Sequence, residues 1–572
     1  MFEQLPSPNE GREPTTPGWM QVVWRRPVAS GLVLAGLVLV LYTCCLGRMP
    51  LLDPDEGRHA EVAREALVTG NWIIPSLNLE PYHHKPMPYY WLVAAGLSVF
   101  PHHPEFGARI PSALAAIGTI AFTGLWAGRY FGTAVGLLSA TVLATAAGFV
   151  VLGRAVLVDM SFTWWVVASQ FGFGWLVLKD TASVLWWLPW VSAGFAMMLK
   201  GPAALILIVG TMMVFATWSK SWRRLAALRP IAGIGLAVSI AGSWYIAAGI
   251  ADPAYVWEFL YLHNFERFRS GAPGHPRNLL YYVYTLPAVL LPWSLWWLPI
   301  VRVLWNDPRR SDQAVRFCLS WVAVVVGFFS LAKSKLPTYV LPAFPPIAVL
   351  TALGIEALGR GVACVSWMQL WGRWVCSSAA FVSAAAVGVG GPVLWFFGEP
   401  EIAKALALSI GPGALVLVAT TWRARCTGYA LQGIAPLAAA TSLGLLAFYG
   451  LAGPVMGRRY SLRDAAWTIQ SWAPTAEIVS FRAGDHSLLF YSGKPVRRVR
   501  TAAEAAAALH EGRPVVLLAK HSTLPEICAA VRAPLVVVWQ GERNKLVLAR
   551  PTWVAGSGNG PVGDLTCTGA GN

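Results

Sequence analysis

The sequence predicts a polytopic α-helical membrane protein. It has about 13 transmembrane helices, surface helices in the first outer loop and a small C-terminal α/β domain. Three observations carry this. Of 572 residues, 56% are hydrophobic and only 13% charged, against about 25% charged in soluble domains. The apolar residues gather in runs near bilayer length, bounded by charge, Pro or Gly. The 29 Trp suit a chain with many interfacial positions, because Trp and Tyr favour the headgroup level.

In chain order the predicted spans are 28–46, 108–127, 133–150, 160–178, 184–199, 202–218, 230–250, 280–301, 314–331, 338–358, 374–397, 402–420 and 429–450. A further run from Met87 to Phe100 contains Pro88 and is short for a crossing, so it is expected along the membrane surface. Charge parity supports that choice. With residues 1–27 as a cytoplasmic tail and 87–100 not crossing, Arg129, Lys179, Lys220, Arg223, Arg224, Arg229, Arg302–Arg316, Arg360–Arg373 and Arg423–Arg425 all fall inside. The positive-inside rule asks for this. The first apolar run shows no small-residue cleavage site and is read as a retained helix. The opposite loops, 47–107, 151–159, 251–279, 332–337 and 398–401, carry Asp53, Asp55, Glu56, Asp159, Asp252 and Glu266.

After Gly453 charge rises and apolar runs shorten. Expected strands are Glu477–Phe481, Leu488–Tyr491, Val515–Leu518, Leu535–Trp539 and Leu546–Leu548, with an Ala-rich helix at Ala502–His510. The expected division is thus a tail at 1–27, a transmembrane unit at 28–453 and an α/β domain at 454–555. Thirteen crossings place that domain outside the cytoplasm. The Gly-rich segment 556–572 is expected to be disordered.

The net charge of +16 sits mostly in short loops, so orientation accounts for it and nucleic acid is excluded as a partner. The eight Cys make no metal spacing, and Cys528 and Cys567 are the pair free to join in the polar tail.

Five stretches bear chemistry. Asp53-Pro54-Asp55-Glu56-Gly57-Arg58 follows the first span. Asp55 can start or cap a helix reaching Val68, or serve as a general base or metal-binding carboxylate. Glu56 shares these readings. The amphipathic helix that follows is expected to lie along the surface. Tyr82-His83-His84-Lys85 opens the surface helix, and Lys85 is either a snorkelling cation or a phosphate ligand. The nearby His lack HxxxH or HExxH spacing, which leaves a divalent metal open and unassigned. Asp159 caps a helix or faces Asp55 across the outer surface. The loop Asn264–Gly271 mixes Glu266, Arg267 and Arg269 with aromatics, a composition able to wrap a phosphate or sugar. Lys333 and Lys335 in an outer turn, with Tyr339 just inside the next helix, break the positive-inside pattern and favour an anion site.

At these residues the chain resembles a known family. The Asp-Glu after the first helix, HKPMPYYWL at 84–92, ARIPSALAA at 108–116, LKGPAAL at 199–205 and FFSLAKSKLPTYVLPAFPP at 328–346 are similar to the bacterial protein O-mannosyltransferase-like, type-C glycosyltransferases. Within that family they are most similar to the aminoarabinose transferases that modify lipid A. The resemblance implies an inverting transfer of 4-amino-4-deoxy-L-arabinose from undecaprenyl phosphate to a lipid A phosphate, conferring polymyxin and cationic peptide resistance. It implies a monomer in the bacterial inner membrane with its site facing the periplasm. Asp55 would be the principal catalytic carboxylate, joined by Asp159 and Glu56. Lys85 would bind the donor phosphate; on our own reading of the residues Arg269, Tyr339, Lys335 and Arg58 join it there, and Tyr82, Glu266 and Lys333 bind the substrates. His84 departs from the acid many relatives carry there. Two alternatives stand beside this reading. One is a transferase acting on protein Ser/Thr or another glycolipid. The other is a lipid or sugar transporter, although transporters place charge near the midplane and often show repeats.

Overall fold

The computed structural model describes residues 26–179, 184–271, 274–359, 434–541, 545–549 and 563–565, with 401, 403–405, 407–409 and 411. The expected span 374–397, nearly all of 402–420 and most of the N-terminal tail lie outside the described residues.

The chain runs through α1 (Pro27–Thr43), α2 (Asp55–Thr69), a two-stranded hairpin of β1 (Ser76–Leu77) and β2 (Glu80–Pro81), α3 (Met87–Val99) and α4 (Pro104–Phe131). It continues through α5 (Thr133–Thr145), α6 (Ala147–Gly153), α7 (Val158–Lys179), α8 (Leu188–Lys200), α9 (Ala203–Trp218) and α10 (Pro230–Ala251). α11 (Pro253–Trp257) passes into a π-helical stretch, Glu258–Glu266, and a last turn at Arg267–Arg269. Then come α12 (Tyr281–Val289), α13 (Trp297–Asn306), α14 (Gln313–Leu331) and α15 (Phe344–Gly359). After the undescribed segment stand α16 (Ile434–Ala447) and α17 (Gly453–Tyr460), joined by the π-turn Phe448–Ala452.

By length and composition, five described helical segments suffice to cross a membrane, or seven if each bent pair is one span. Two expected spans are not straight. The run 133–150 breaks at Ala146, where α5 and α6 meet at 67°. The run 280–301 bends by 108° between Val289 and Trp293, at Pro292, which has no N–H to continue a helix. α3 is a 13-residue helix, too short to span.

The expectation for α2 is corrected. It does not lie on the surface with one wet face. Nine of its 15 residues are buried, including Glu56, His59, Glu61 and Glu65. The reason is a cover that periodicity cannot reveal: the C-terminal unit packs on it. Its far end is held by Glu65, which accepts from Ser76 Oγ at 2.6 Å and from the Leu79 N–H at 3.1 Å.

The C-terminal unit starts later than expected, because the last helix of the bundle continues to Tyr460. It comprises α18 (Arg463–Trp472), β3 (Glu477–Phe481), α19 (His486–Ser492), β4 (Val496–Val499), α20 (Ala502–His510), β5 (Val515–Lys520), α21 (Leu524–Val531), β6 (Leu535–Gln540), β7 (Lys545–Ala549) and β8 (Gly563–Leu565). The sheet order is β4-β3-β5-β7-β6-β8. β3 is parallel to β4 and β5, and the pairs β5–β7, β7–β6 and β6–β8 are antiparallel. Buried β-branched and Leu runs such as Val515–Leu518 build the centre. Thr501 starts α20, accepting the Glu504 N–H at 3.2 Å.

Two expectations fail here. Leu488–Tyr491 is helix α19 rather than a strand, since Gly493 with φ of 64° closes a helix over that apolar run. Residues 563–565 are not disordered: Leu565 pairs with Leu535 and Gly563 with Val537, extending the sheet edge. Cys528 is disulfide-bonded, and Cys567 lies outside the described residues.

Candidate active site

The first outer loop is built on one buried cluster. Glu56 receives the Arg109 guanidinium in a fork, Nε to Oε1 at 2.8 Å and Nη2 to Oε2 at 2.6 Å. It also accepts the N–H groups of Leu52 and Val156, each at 3.1 Å. Arg109 spends its remaining donors on the carbonyls of Leu46, Met49 and Pro50. Glu56 therefore ties α1, α4 and the turn before α7 together. Every oxygen is committed, which makes it an architectural residue rather than a reacting one.

This anchoring aims its neighbour outward. Asp55 is the first residue of α2 and its side chain is 56% exposed. It pairs with Arg58 one turn on. The i,i+3 spacing puts both on one face, and the acid suits the helix N-terminus.

Asp159 and Lys200 form the second element. Asp159 is in the first turn of α7 and Lys200 ends α8. Their charges meet at 2.5 Å, with both side chains nearly buried. The Lys200 ammonium also stands 4.8 Å from the Tyr339 ring centroid and 5.1 Å from that of Phe162. Tyr339 is thus held by a cation–π contact beside the pair.

Lys85 lies between these elements. The Tyr255 hydroxyl donates to its carbonyl at 2.6 Å, and its ammonium feels the charges of Lys200, Asp159, Arg267 and Arg58. Among the described residues that ammonium has no hydrogen-bond or ion-pair partner. Burial brings its pKa down to about 7, with Lys200, Arg267 and Arg58 adding to the effect and Asp159 opposing it. A lysine so desolvated among cations is prepared for an anion.

The rings of Tyr82, His84 and His263 line the approach, with centroids 4.8 Å and 4.3 Å apart in succession. Burial first, then neighbouring cations and imidazoles, brings His84 and His263 to about 4, so both are neutral at pH 7. His83 is spent elsewhere, its ring nitrogens meeting Glu258 at 2.8 Å and Asp252 at 2.9 Å. Among the described residues no group of three or more His, Cys, Asp or Glu side chains is arranged to hold a metal ion.

Of the residues singled out in the sequence, Asp55, Arg58, Tyr82, Lys85, Asp159 and Tyr339 are linked to one another through ion pairs, ring contacts or their mutual electrostatic influence. The others do not join them. Arg269 is exposed and faces Glu266 at 3.5 Å. The arginine on the inner side is Arg267, which donates to Ser334 Oγ at 3.3 Å and contributes to the field at Lys85. Lys335 is buried, its ammonium used on the carbonyls of Ala332 in its own turn and of Arg277 in the loop paired with it. Lys333 points to solvent while its backbone pairs with Phe268 and Arg277. Lys200 carried a usable signal: it ends a predicted span on the outer face, where a lysine breaks the positive-inside pattern.

The chain is similar to known proteins in sequence and in fold. The family model for dolichyl-phosphate-mannose-protein mannosyltransferase matches residues 52–255, which contain both carboxylates and Lys85. An undecaprenyl phosphate-alpha-4-amino-4-deoxy-L-arabinose arabinosyl transferase of Enterobacter sp. (strain 638) is 30% identical over 462 residues, covering 76% of this chain and 82% of that protein. One from Pseudomonas fluorescens is 32% identical over 341 residues, covering 57% and 59%. The fold is similar to that of ArnT from Cupriavidus metallidurans. The TM-score is 0.78 in the apo state, at 20% identity, covering 93% of this chain and 100% of that one. It is 0.77 for the form bound to undecaprenyl phosphate. On the extent of the Enterobacter match, this multi-pass membrane glycosyltransferase belongs to the undecaprenyl phosphate-alpha-4-amino-4-deoxy-L-arabinose arabinosyl transferase family.

Proposed function

We propose that this protein transfers 4-amino-4-deoxy-L-arabinose from undecaprenyl phosphate to a phosphate of lipid A, with inversion, at the periplasmic face of the inner membrane. The bundle then has 13 spans, and the sheet-containing C-terminal unit is periplasmic. The carrying observation is the Lys85 ammonium, which has no partner among the described residues and stands in the field of Arg58, Arg267, Lys200 and Asp159.

The leaving group is a phosphate. Breaking its bond to the sugar's anomeric carbon moves negative charge onto phosphate oxygen. Lys85, Arg58 and Arg267 stabilise that charge, and Tyr339 donates a hydrogen bond to it. The acceptor phosphate oxygen attacks the same carbon from the opposite face, which inverts it. Such an oxygen is already ionised and needs no base. Asp55 therefore orients the acceptor and steadies the positive charge that develops on the sugar ring. Asp159 holds Lys200 in place. A protein hydroxyl as acceptor would instead require Asp55 to take a proton.

Mass spectrometry of lipid A from cells with and without the protein tests the reading. The aminosugar is expected on lipid A only when the protein is present. Sugar on protein Ser/Thr and none on lipid A would replace it with the hydroxyl-acceptor reaction.

A further inference from the structure

The C-terminal unit meets the acidic loop backbone to backbone. A Cβ on Gly57 would stand 2.7 Å from the Ser487 nitrogen, 2.8 Å from Ser487 Cα and 3.1 Å from the His486 carbonyl carbon. Only glycine permits that approach. Ser487 donates its N–H and its hydroxyl to the two Asp53 oxygens, each at 2.7 Å. The Leu462 N–H donates to the same hydroxyl oxygen at 2.8 Å. These bonds pin His486 beside Gly57. Asp55 lies two residues before that glycine and Arg58 directly after it.

His486 has an unexplained atom. Its Nδ1 is buried and, among the described residues, has no hydrogen-bond partner. Asp485 Oδ1 is 3.9 Å away and is engaged by Arg498 at 2.8 Å. On the facing helix, Arg58 Nε is also buried without a partner among the described residues. Buried polar groups are rarely left so. Here a donor and an imidazole stand on two elements in backbone contact.

The electrostatics agree. Burial, with Arg58 and Arg498 adding to it and Asp485 and Asp55 opposing, brings His486 to about 4, so the ring is neutral at pH 7. Arg498 engages both Asp485 oxygens, and the nearer one stands 3.9 Å from Nδ1, so this nitrogen is free to accept from a donor on the facing helix.

We propose that His486 is a positioning residue for the transfer, accepting a hydrogen bond from the Arg58 guanidinium so that the Arg58–Asp55 pair is held toward the donor phosphate. The C-terminal unit thereby completes the reaction site. This rests on the donor-phosphate role of Arg58 given above.

The test uses full-length protein in detergent, with undecaprenyl-phosphate-linked aminoarabinose and lipid A. His486→Phe is expected to lower kcat about tenfold, the worth of one hydrogen bond to a charged group, with KM for lipid A unchanged. His486→Gln, which keeps an acceptor, is expected to restore most of the rate. His486→Leu takes the place of the Phe variant should the larger ring prevent folding. In a double-mutant cycle, His486→Phe combined with Arg58→Ala is expected to be no slower than Arg58→Ala alone. His510→Ala, on distant α20, is expected to leave the rate unchanged. Wild-type turnover in His486→Phe, no recovery in His486→Gln, or losses that multiply in the double variant would each overturn the inference alone. A wild type that transfers no aminosugar to lipid A would instead overturn the functional reading beneath it.

Discussion

Lys200 Nζ lies 2.5 Å from Asp159 Oδ1, which joins the end of α8 to the start of α7. Both groups have left water, so each depends on the other more than an exposed pair would. Lys200→Met should leave the Asp159 carboxylate buried and unpaired, at a cost of about 3–5 kcal/mol. Adding Asp159→Leu should return much of that stability without returning transfer. Thermal unfolding in detergent, read beside turnover, checks both statements. A single variant as stable as the wild type would count against the pair as a structural tie.

The neighbouring acids Asp55 and Glu56 should separate cleanly. Asp55→Asn alters an exposed side chain, so the melting temperature should hold while transfer falls by about 100-fold or more, the scale of a lost electrostatic contact at a reacting centre. Glu56→Gln removes the charge facing buried Arg109 and should lower stability by about 3–5 kcal/mol. Comparing melting temperatures with rates for the two variants decides the assignment, and the reverse pattern would exchange their roles.

Lys85 predicts a pH dependence with a definite sign. Its folded pKa, about 7, lies below the unfolded value of about 10.4. Between these values the unfolded chain holds the extra proton, so this group makes stability rise with pH; below 7 its cost is constant. Lys85→Met should therefore raise the melting temperature near pH 6, with the gain fading toward pH 10. Donor binding moves the other way, because phosphate needs the ammonium. Affinity for undecaprenyl phosphate, measured by titration calorimetry, should weaken from pH 6 to pH 9 in the wild type. A flat profile would remove Lys85 from the phosphate site.

Much of the bundle was readable from apolar runs and loop charge, since both follow from local composition. The parity argument placed Asp55, Lys85 and Asp159 on one face; Asp159 and Arg58, the partner of Asp55, are among the charges that act on Lys85. What periodicity could not supply is where distant chain packs. α2 reads as amphipathic, yet its polar positions Glu56, Glu61 and Glu65 are buried because they meet Arg109, Arg64 and the β1–β2 hairpin. The choice between Arg267 and Arg269 depends on the phase of a π-helical turn, to which a 3.6-residue reading is blind. Lys335 broke the charge pattern for a structural reason, the carbonyls of Ala332 in its own turn and of Arg277 in a neighbouring loop. The kinks at Ala146 and Pro292 sit inside apolar runs whose hydropathy is unbroken.

The bonds between Asp53 and Ser487 span 434 positions of sequence. One partner is made early and the other near the end of the chain. The acidic loop therefore waits, through most of synthesis, for the segment that fastens it. A chain that stops before Ser487 leaves the Asp53 carboxylate without these two donors, and among the described residues nothing nearer in sequence replaces the backbone contact that Gly57 makes there.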